Sequence, residues 1–345
     1  MPQVSILVPN YNHARFLERR LDSIFSQTLQ DFELIFLDDA STDDSLEVYT
    51  RFADDPRVRS CINSENTGNP FVQWNRGLDM ASGDFVWIAE SDDFAEPEFL
   101  TALVGRLEAH PDAGLATCRS FVTSAEGQDL EVFDAYRWFR DAARWRADYC
   151  NSGRDELTRY LLFQNTIPNA SAVVVRRAVL EPGLRAPEDM QIAGDWSFWV
   201  AILLRSGICH VGRPLNHFRQ PHAESQRSRT IVSGVEIMEG FRVVRQIEEG
   251  AGLTDSQRLF ARLGLMRRWL SLASLQRIPW SGQRRIYGRL LEARFGSPAT
   301  RALHVLLLTL TLVIAPVAGI PGFRWLARKL QSLAAPGAGA TRAGA

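Results

Sequence analysis

Four short apolar runs, each ending in polar residues, limit this chain to one class of fold. They are "VSILVP" (residues 4–9), "FELIFLDD" (32–39), "VRSCIN" (58–63) and "DFVWIAE" (84–90). Between them lie stretches with helical periodicity. "ARFLERRLDSIFSQ" (14–27) puts Phe16, Leu17, Leu21, Ile24 and Phe25 on one face. "STDDSLEVYTRFA" (41–53) has Ser41 and Asp44 at capping-box spacing. "PFVQWNRGLDMA" (70–81) and "EPEFLTALVGRLEAH" (96–110) read as helices, and "GLATCRSFVTS" (114–124) as a longer strand. Continuous apolar strands alternating with helices predict an α/β fold, a mostly parallel sheet flanked by helices on both faces. In such sheets ligands sit beyond the carboxyl ends of the strands.

The polar ends of the runs fall on that rim. Asn10-Tyr11-Asn12 follows the first, Asp38-Asp39 the second and Ser91-Asp92-Asp93 the fourth. The last cluster is unusual because "WIAESDDFAEP" ends a buried strand in three carboxylates. A helix cap uses one carboxylate at most. A hard divalent cation, held through one or two carboxylates with phosphate and water completing its shell, uses the cluster more fully. Convergence of three polar clusters on one rim is the main reason to expect a site there.

Beyond residue 125 the signals are mixed. "FDAYRWFRDAARWRADYC" (133–150) reads as an aromatic, arginine-rich insertion, helical or looped, near the rim. "ASAVVVRRAVL" (170–180) is a strand leading to a helix, and "GDWSFWVAILLRSG" (194–207) a helix with Asp195 at its entry. "CHVGRPLNHFRQPHAESQ" (209–226) reads as a polar loop closing the domain. From about residue 230 the pattern turns helical over 241–249, 256–275 and 282–294. From Ala251 onward fourteen basic residues face two acidic ones, a net of +12, so the whole-chain charge of -1 leaves -13 on the first 250 residues. A basic tail of this kind suits an anionic partner. "LHVLLLTLTLVIAPVAGI" (303–320) is at the lower length limit for a membrane span and is interrupted by His304 and Pro316. Peripheral attachment to an anionic membrane surface is therefore expected. Nucleic acid is not, since no motif for it accompanies the charge. The four cysteines have no metal or disulfide spacing and read as reduced, packed thiols of a cytosolic protein. The N-terminus carries no secretory pattern.

The ordered motifs "SILVPNYNHARFLERRLDSIFSQTLQDFELIFLDDASTDDS" and "ENTGNPFVQWNRGLDMASGDFVWIAESDD" resemble the nucleotide-sugar half of glycosyltransferase family 2, which has the Rossmann-like GT-A fold. The resemblance covers residues 3–125 in order and spacing and continues more loosely to about 226. It implies a GT-A domain over 1–228 (nucleotide-sugar half 1–125, acceptor half 126–228); charge and composition add a basic, membrane-associating helical region over 229–332 and a disordered Gly/Ala-rich tail over 333–345. It also implies that Pro9, Asn10, Tyr11 and Asn12 cradle the nucleotide, with Tyr11 near the base. Asp38 and Asp39 read the base, Asp39 accepting from a uracil N3–H. Asn66 and Asn75 fall in the same nucleotide-sugar set. Glu90-Ser91-Asp92 takes the place of the D-x-D motif, with Asp92 on Mg²⁺ or Mn²⁺. Two departures stand out: Glu90 replaces the usual first Asp, and Trp74 stands where an arginine often precedes the asparagine of "NRG".

The resemblance makes Asp195, in Gly194-Asp195-Trp196, the catalytic base, against the plainer reading of a helix cap. His222, in a loop closing over the diphosphate, is a second metal ligand, or else a solvated histidine. Arg219 pairs with the diphosphate, or is a surface cation. The implied activity is inverting, metal-dependent transfer of a sugar, UDP-linked, from a nucleotide donor to a saccharide hydroxyl in cell-surface glycan synthesis. The acceptor class implied by family habit and basic tail together is a polyprenyl-diphosphate-linked saccharide, used at the inner face of the plasma membrane. Two other readings stay open: a nucleotidyltransferase, though "PNYNHA" lacks the glycine-rich loop, and a sugar-nucleotide-binding protein without catalysis, which the presence of both Asp92 and Asp195 disfavours.

Overall fold

The computed structural model describes residues 1–133, 141–167, 169–181, 183–219, 235–274 and 278–314. The first half follows the expected alternation. Strand β1 (Val4–Asn10) leads to helix α1 (Ala14–Phe25), β2 (Phe32–Asp38) to α2 (Ser45–Thr50), β3 (Val58–Ile62) to α3 (Pro70–Met80), and β4 (Phe85–Ile88) through the short β5 (Phe94–Ala95) to α4 (Phe99–Ala109). β6 (Ala113–Thr123) and β7 (Asp129–Val132) follow, then β8 (Tyr149–Asn151), α5 (Gly153–Glu156), β9 (Val173–Arg176), α6 (Gly194–Leu203) and β10 (Gly207–Arg219). The sheet order is β3-β2-β1-β4-β9-β6-β10-β5, with β7 beside β6 and β8 beside β10. Neighbours run parallel through β3-β2-β1-β4 and between β6 and β10, while β9 is antiparallel to both β4 and β6.

Both faces of this sheet are covered, and strand alternation sorts the side chains. Val4, Ile6 and Val8 of β1 join Leu34 and Phe36 of β2 under α1 and α4, packing on Leu17, Leu21, Phe99 and Leu103. Leu7, Ile35 and Leu37 point the other way, against Phe71, Trp74 and Leu78 of α3. Period-two alternation with both sets buried is the mark of a sheet between two helical layers. Gly77 lets α3 lie close, because a Cβ there would stand 2.7 Å from a Leu37 methyl and 2.9 Å from one of Leu7. Asn69 caps α3 by accepting from the Phe71 amide at 2.9 Å, with Pro70 at its first position.

Several expectations are corrected here. The segment 209–219 is not a loop: β10 is a thirteen-residue strand, parallel to β6. Most of its polar residues are buried, among them His210, Asn216, His217 and Arg219. The His217 ring stacks on Phe94 (4.1 Å) and Phe121 (5.0 Å), and its nitrogens lie 2.8 Å from Glu96 and Asp129 carboxylates. Ser41 does not cap α2; Asp43 takes that part, accepting from the Ser45 amide and hydroxyl. The thiols are not all reduced. Cys150 and Cys209 face each other across β8 and β10, Cα atoms 4.1 Å apart, and form a disulfide. Spacing could not reveal it, because the pairing arises only once β8 lies beside β10, 59 residues on. Cys61 and Cys118 are free thiols.

The C-terminal region is helical as expected: α7 (Val235–Ala251), α8 (Asp255–Ser274), α9 (Trp280–Leu291) and α10 (Pro298–Ile314). Its apolar residues, among them Ile237, Phe241, Trp269, Ile286 and Leu308, share one core with Phe198 and Trp199 of α6. Among the described residues no helix is long and apolar enough to cross a membrane. Residues 134–140, 220–234 and 315–345 lie outside the described residues, and with them His222, much of the aromatic insertion and the end of the 303–320 segment.

Candidate active site

The rim at the carboxyl ends of β1, β2 and β4 is built by short loops that hydrogen-bond to one another. Asn10, buried at the end of β1, donates from Nδ2 to Asp38 Oδ1 at 2.8 Å. Asp38 also accepts from the Ser41 hydroxyl (2.6 Å) and amide (2.8 Å). Asn12 accepts at Oδ1 from the Thr42 amide at 2.7 Å. Asn12 and Ala40 both have positive φ, 55° and 60°. Two non-glycine residues in that region within one pair of loops are backbone strain concentrated at a rim. Tyr11 stands 44% exposed between them, open to a ligand.

Asp39 anchors the next loop. It accepts from Asn63 Nδ2 (2.7 Å), Gln73 Nε2 (2.8 Å) and the Thr67 amide and hydroxyl. Asn66 accepts from the Gly68 amide in the same turn. Asn75 is buried and faces away, bracketing residues 186–188: it donates to Ala186 O and Glu188 Oε1 and accepts from the Ala186 amide. Asp38, Asp39 and Asn75 thus shape the rim from within, while Tyr11 and Asn12 form its surface.

The acidic turn after β4 is held on every side. Glu90 accepts from Trp74 Nε1 at 2.9 Å, so the two departures from the family pattern contact each other. Ser91 Oγ lies 2.8 Å from His13 Nδ1. Asp93 is buried and accepts from Asn169 Nδ2 (2.7 Å) and the Arg219 amide (3.0 Å). Arg20, fully buried, donates from Nε to Glu90 O at 2.8 Å beneath the turn. Burial, then the neighbouring Asp92, pushes the Glu90 carboxyl up to about 8, and the same causes push Asp93 up to about 6. Burial lowers Arg20 to about 10 against the pull of these acids. Acids shifted this far by burial and then by one another are typical of functional clefts. Arg219 is placed otherwise than the resemblance implies. Its guanidinium donates to the carbonyls of Ser124 (3.0 Å) and Ala125 (2.6 Å) between the rings of Phe16 and Phe94.

Asp195 occupies the first turn of α6. Oδ1 accepts from the Trp196 amide at 2.7 Å and Oδ2 from Asn165 Nδ2 at 3.1 Å. Gly194 permits this entry, because a Cβ there would collide with the Phe71 ring. Two bridges join α6 to the acidic turn. Trp74, bound to Glu90, packs against Phe198 (6.2 Å) and Trp199 (6.1 Å). The stretch "NTIPNAS" (165–171) reaches Asp195 through Asn165, Asp93 through Asn169 and the Glu90 amide through Ser171 Oγ (3.0 Å). Sequence reasoning missed Asn165, Asn169, Ser171, Arg20 and His13. Their only signal was polar or charged residues beside apolar runs.

The span from β1 past β9 carries the pattern of one family. The profile of Glycosyl transferase family 2 matches residues 5–181, just over half of the chain. The chain belongs to glycosyltransferase family 2. Over 117 residues this family 2 enzyme is 35% identical to the GalNAc(5)-diNAcBac-PP-undecaprenol beta-1,3-glucosyltransferase of Campylobacter jejuni; the aligned stretch is 34% of this chain and 37% of that protein. Among solved structures, Staphylococcus aureus TarS (residues 1–349) in complex with UDP-GlcNAc superposes with a TM-score of 0.63 at 17% identity, covering 93% of this chain and 92% of that one. The mannosyltransferase PcManGT of Pyrobaculum calidifontis, in complex with GDP-Man and Mn²⁺, superposes with a TM-score of 0.53 at 17% identity, over 97% and 85%. Both likenesses concern the GT-A fold.

The donor set of the glycosyltransferase fits a hard cation. Asp92 and Glu90 offer carboxylate oxygens, matching Mg²⁺ or Mn²⁺ held by one or two carboxylates with diphosphate oxygens and water, while both Asp93 oxygens are already taken by Asn169 and the Arg219 amide. Elsewhere, a cavity of about 980 Å³ opens at the amino ends of β6 and β10, lined by His110, Asp112, Cys150, Arg154 and Arg205.

Proposed function

We propose that this glycosyltransferase moves a sugar from a UDP-linked donor to a saccharide hydroxyl with inversion, using Mg²⁺ or Mn²⁺. The observation that carries the reading is the joining of the acidic turn and Asp195 by one stretch of chain, residues 165–171. A donor-holding acid and a base fixed to each other are what a single in-line displacement requires.

In this reading Asn10, Tyr11 and Asn12 receive the nucleotide, with Pro9 ending the strand beneath them, while Asp38, Asp39, Asn66 and Asn75 fix the loops around it. Asp92 would hold the metal, with His222 as the second ligand that the family pattern implies. The cation supplies Lewis-acid stabilisation of the departing diphosphate. Ser91 and Glu90 shape the turn around Asp92, and Arg219 braces Asp93 from behind. Asp195 takes the proton from the acceptor hydroxyl, and Asn165 holds that carboxylate in place. Only one base is needed, so the anomeric configuration inverts. The Campylobacter relative, named for an undecaprenyl-diphosphate-linked substrate, supports a polyprenyl-diphosphate-linked saccharide as acceptor. The basic helical region supports work at an anionic membrane surface on its cytoplasmic side. The GT-A unit over 1–228 carries the chemistry and 229–332 the attachment.

The test is UDP release from a panel of UDP-sugars with a saccharide acceptor and Mn²⁺. Asp195→Asn should lower turnover at least about a thousandfold while donor binding stays near wild type. Turnover close to wild type in Asp195→Asn would refute the assignment of the base.

A further inference from the structure

Helix α10 is amphipathic in the wrong sense for a water-facing helix. Its outward side chains are Leu303 (45% exposed), Leu306 (57%), Leu310 (41%) and Val313 (66%). At helical pitch these four fall within an arc of about 80°. The opposite side, packed on the bundle, carries His304, Leu308 and Thr311, all buried. His304 lies 5.0 Å from the Phe295 ring, and burial lowers its imidazole to about 4. Thr311 donates to Leu307 O at 2.8 Å within the helix. Polar groups inside and leucines outside reverse the pattern expected against water. Scattered exposed leucines need no account, but a contiguous row of them does.

The surroundings identify what covers the row. Residues 280–314 hold five arginines and one acid, Glu292. Arg284, Arg285, Arg289, Arg294 and Arg301 are all exposed, and Trp280 is 52% exposed at the start of α9. α9 and α10 are neighbours, with Tyr287 Oη 3.4 Å from Thr309 Oγ1. An occupant must therefore be apolar along α10 and anionic around it. The remaining chain, 315–345, has four basic residues and no acid, so it brings the wrong sign. A second copy would set the same arginines against themselves. An anionic lipid surface meets both demands, acyl chains for the leucines and phosphates for the arginines.

We propose that the outward face of α10, formed by Leu303, Leu306, Leu310 and Val313, seats this protein on an anionic lipid bilayer. The proposal gives the membrane location argued above its contact face. α10 lies in the interface rather than crossing it, in keeping with the absence of a spanning helix among the described residues.

The experiment is flotation of the full chain with phosphatidylcholine vesicles, with and without phosphatidylglycerol. The wild type should float with the anionic vesicles, and the bound fraction should drop about tenfold or more in pure phosphatidylcholine or in high salt. Leu306→Glu with Leu310→Glu should lower binding to a similar degree without changing the unfolding midpoint, since both side chains are exposed. Arg284→Gln with Arg285→Gln should weaken binding while removing much of its salt dependence. Indifference to phosphatidylglycerol, or binding that survives both leucine changes, would overturn the proposal. So would sedimentation showing that these leucines hold a dimer that ignores vesicles. UDP release with a soluble acceptor separates this from the transfer reading: the leucine variant should keep it, and its absence in the wild type would count against the transferase assignment alone.

Discussion

If Asp195 is the base, as proposed, Asn165 supports it without chemistry of its own. Its amide holds one oxygen of Asp195 and leaves the Trp196 amide to hold the other. A carboxylate fixed at both oxygens has one productive orientation, and a base gains from orientation more than from basicity alone. Asn165→Ala should therefore reduce kcat by roughly ten- to a hundredfold, about 1.4–2.7 kcal/mol, with the KM for donor unchanged. Combined with Asp195→Asn it should cost nothing further, and steady-state kinetics on the four proteins of the cycle checks this. Glu90 tells a related story in its titration. Its folded carboxyl ionises near 8 rather than the usual 4.5, so between those values the folded chain holds a proton that the unfolded chain has lost. Stability from this group is full below 4.5 and is lost as pH rises through 8. In metal-free protein, Glu90→Gln should leave the melting temperature unchanged near pH 4 and raise it near pH 9, as a pH series of thermal scans will show.

At the scale of elements, the strands were the most legible part of the chain and β10 the least. β1, β2, β3 and β4 announce themselves because each is apolar and short, and their ends fix the rim. β10 hides because His210, Asn216, His217 and Arg219 are polar yet buried. Partners on other elements make that burial tolerable: Trp145 O for His210, Ser120 Oγ for Asn216, Glu96 and Asp129 for His217, and the Ser124 and Ala125 carbonyls for Arg219, and no pattern within 209–226 encodes them. The same limit applies to the bridge at 165–171. Order and spacing place the turn 90–93 and Asp195 in the sequence, whereas the groups that bond Glu90, Asp93 and Asp195 come from distant turns. The pairing of β8 with β10 is only three residues long, and its disulfide spans 59 residues of sequence. On a chain-entropy account a bridge of that span is worth up to roughly 4 kcal/mol. Reduction, or Cys150→Ser, should lower the melting temperature by several degrees, with hydrogen exchange rising first at residues 149–151.

For the whole molecule, charge is divided between a core that gathers acids at one rim and a helical region that gathers arginines. In the proposed reading a cation would relieve the repulsion among these acids, and its binding would then add to folding stability. Mn²⁺ should raise the melting temperature of the wild type more near pH 8 than near pH 5, since the carboxylates must be ionised to bind it. Asp92→Asn should remove most of that increment. Equal stabilisation of both proteins would move the ion elsewhere.

The stretch from Asn165 to Ser171 carries a consequence for engineering. Donor and acceptor preferences are attractive to exchange between relatives, by joining the front of one enzyme to the back of another. In this chain such a graft cannot be cut cleanly at residue 125. Asn169 and Ser171 belong to the back by position but to Asp93 and Glu90 by contact, and Asn165 ties them to Asp195. A chimera that keeps residues 90–93 from one parent and takes 165–171 from another inherits a hinge where the native enzyme has a clamp. Hybrids should be made by transplanting both stretches together.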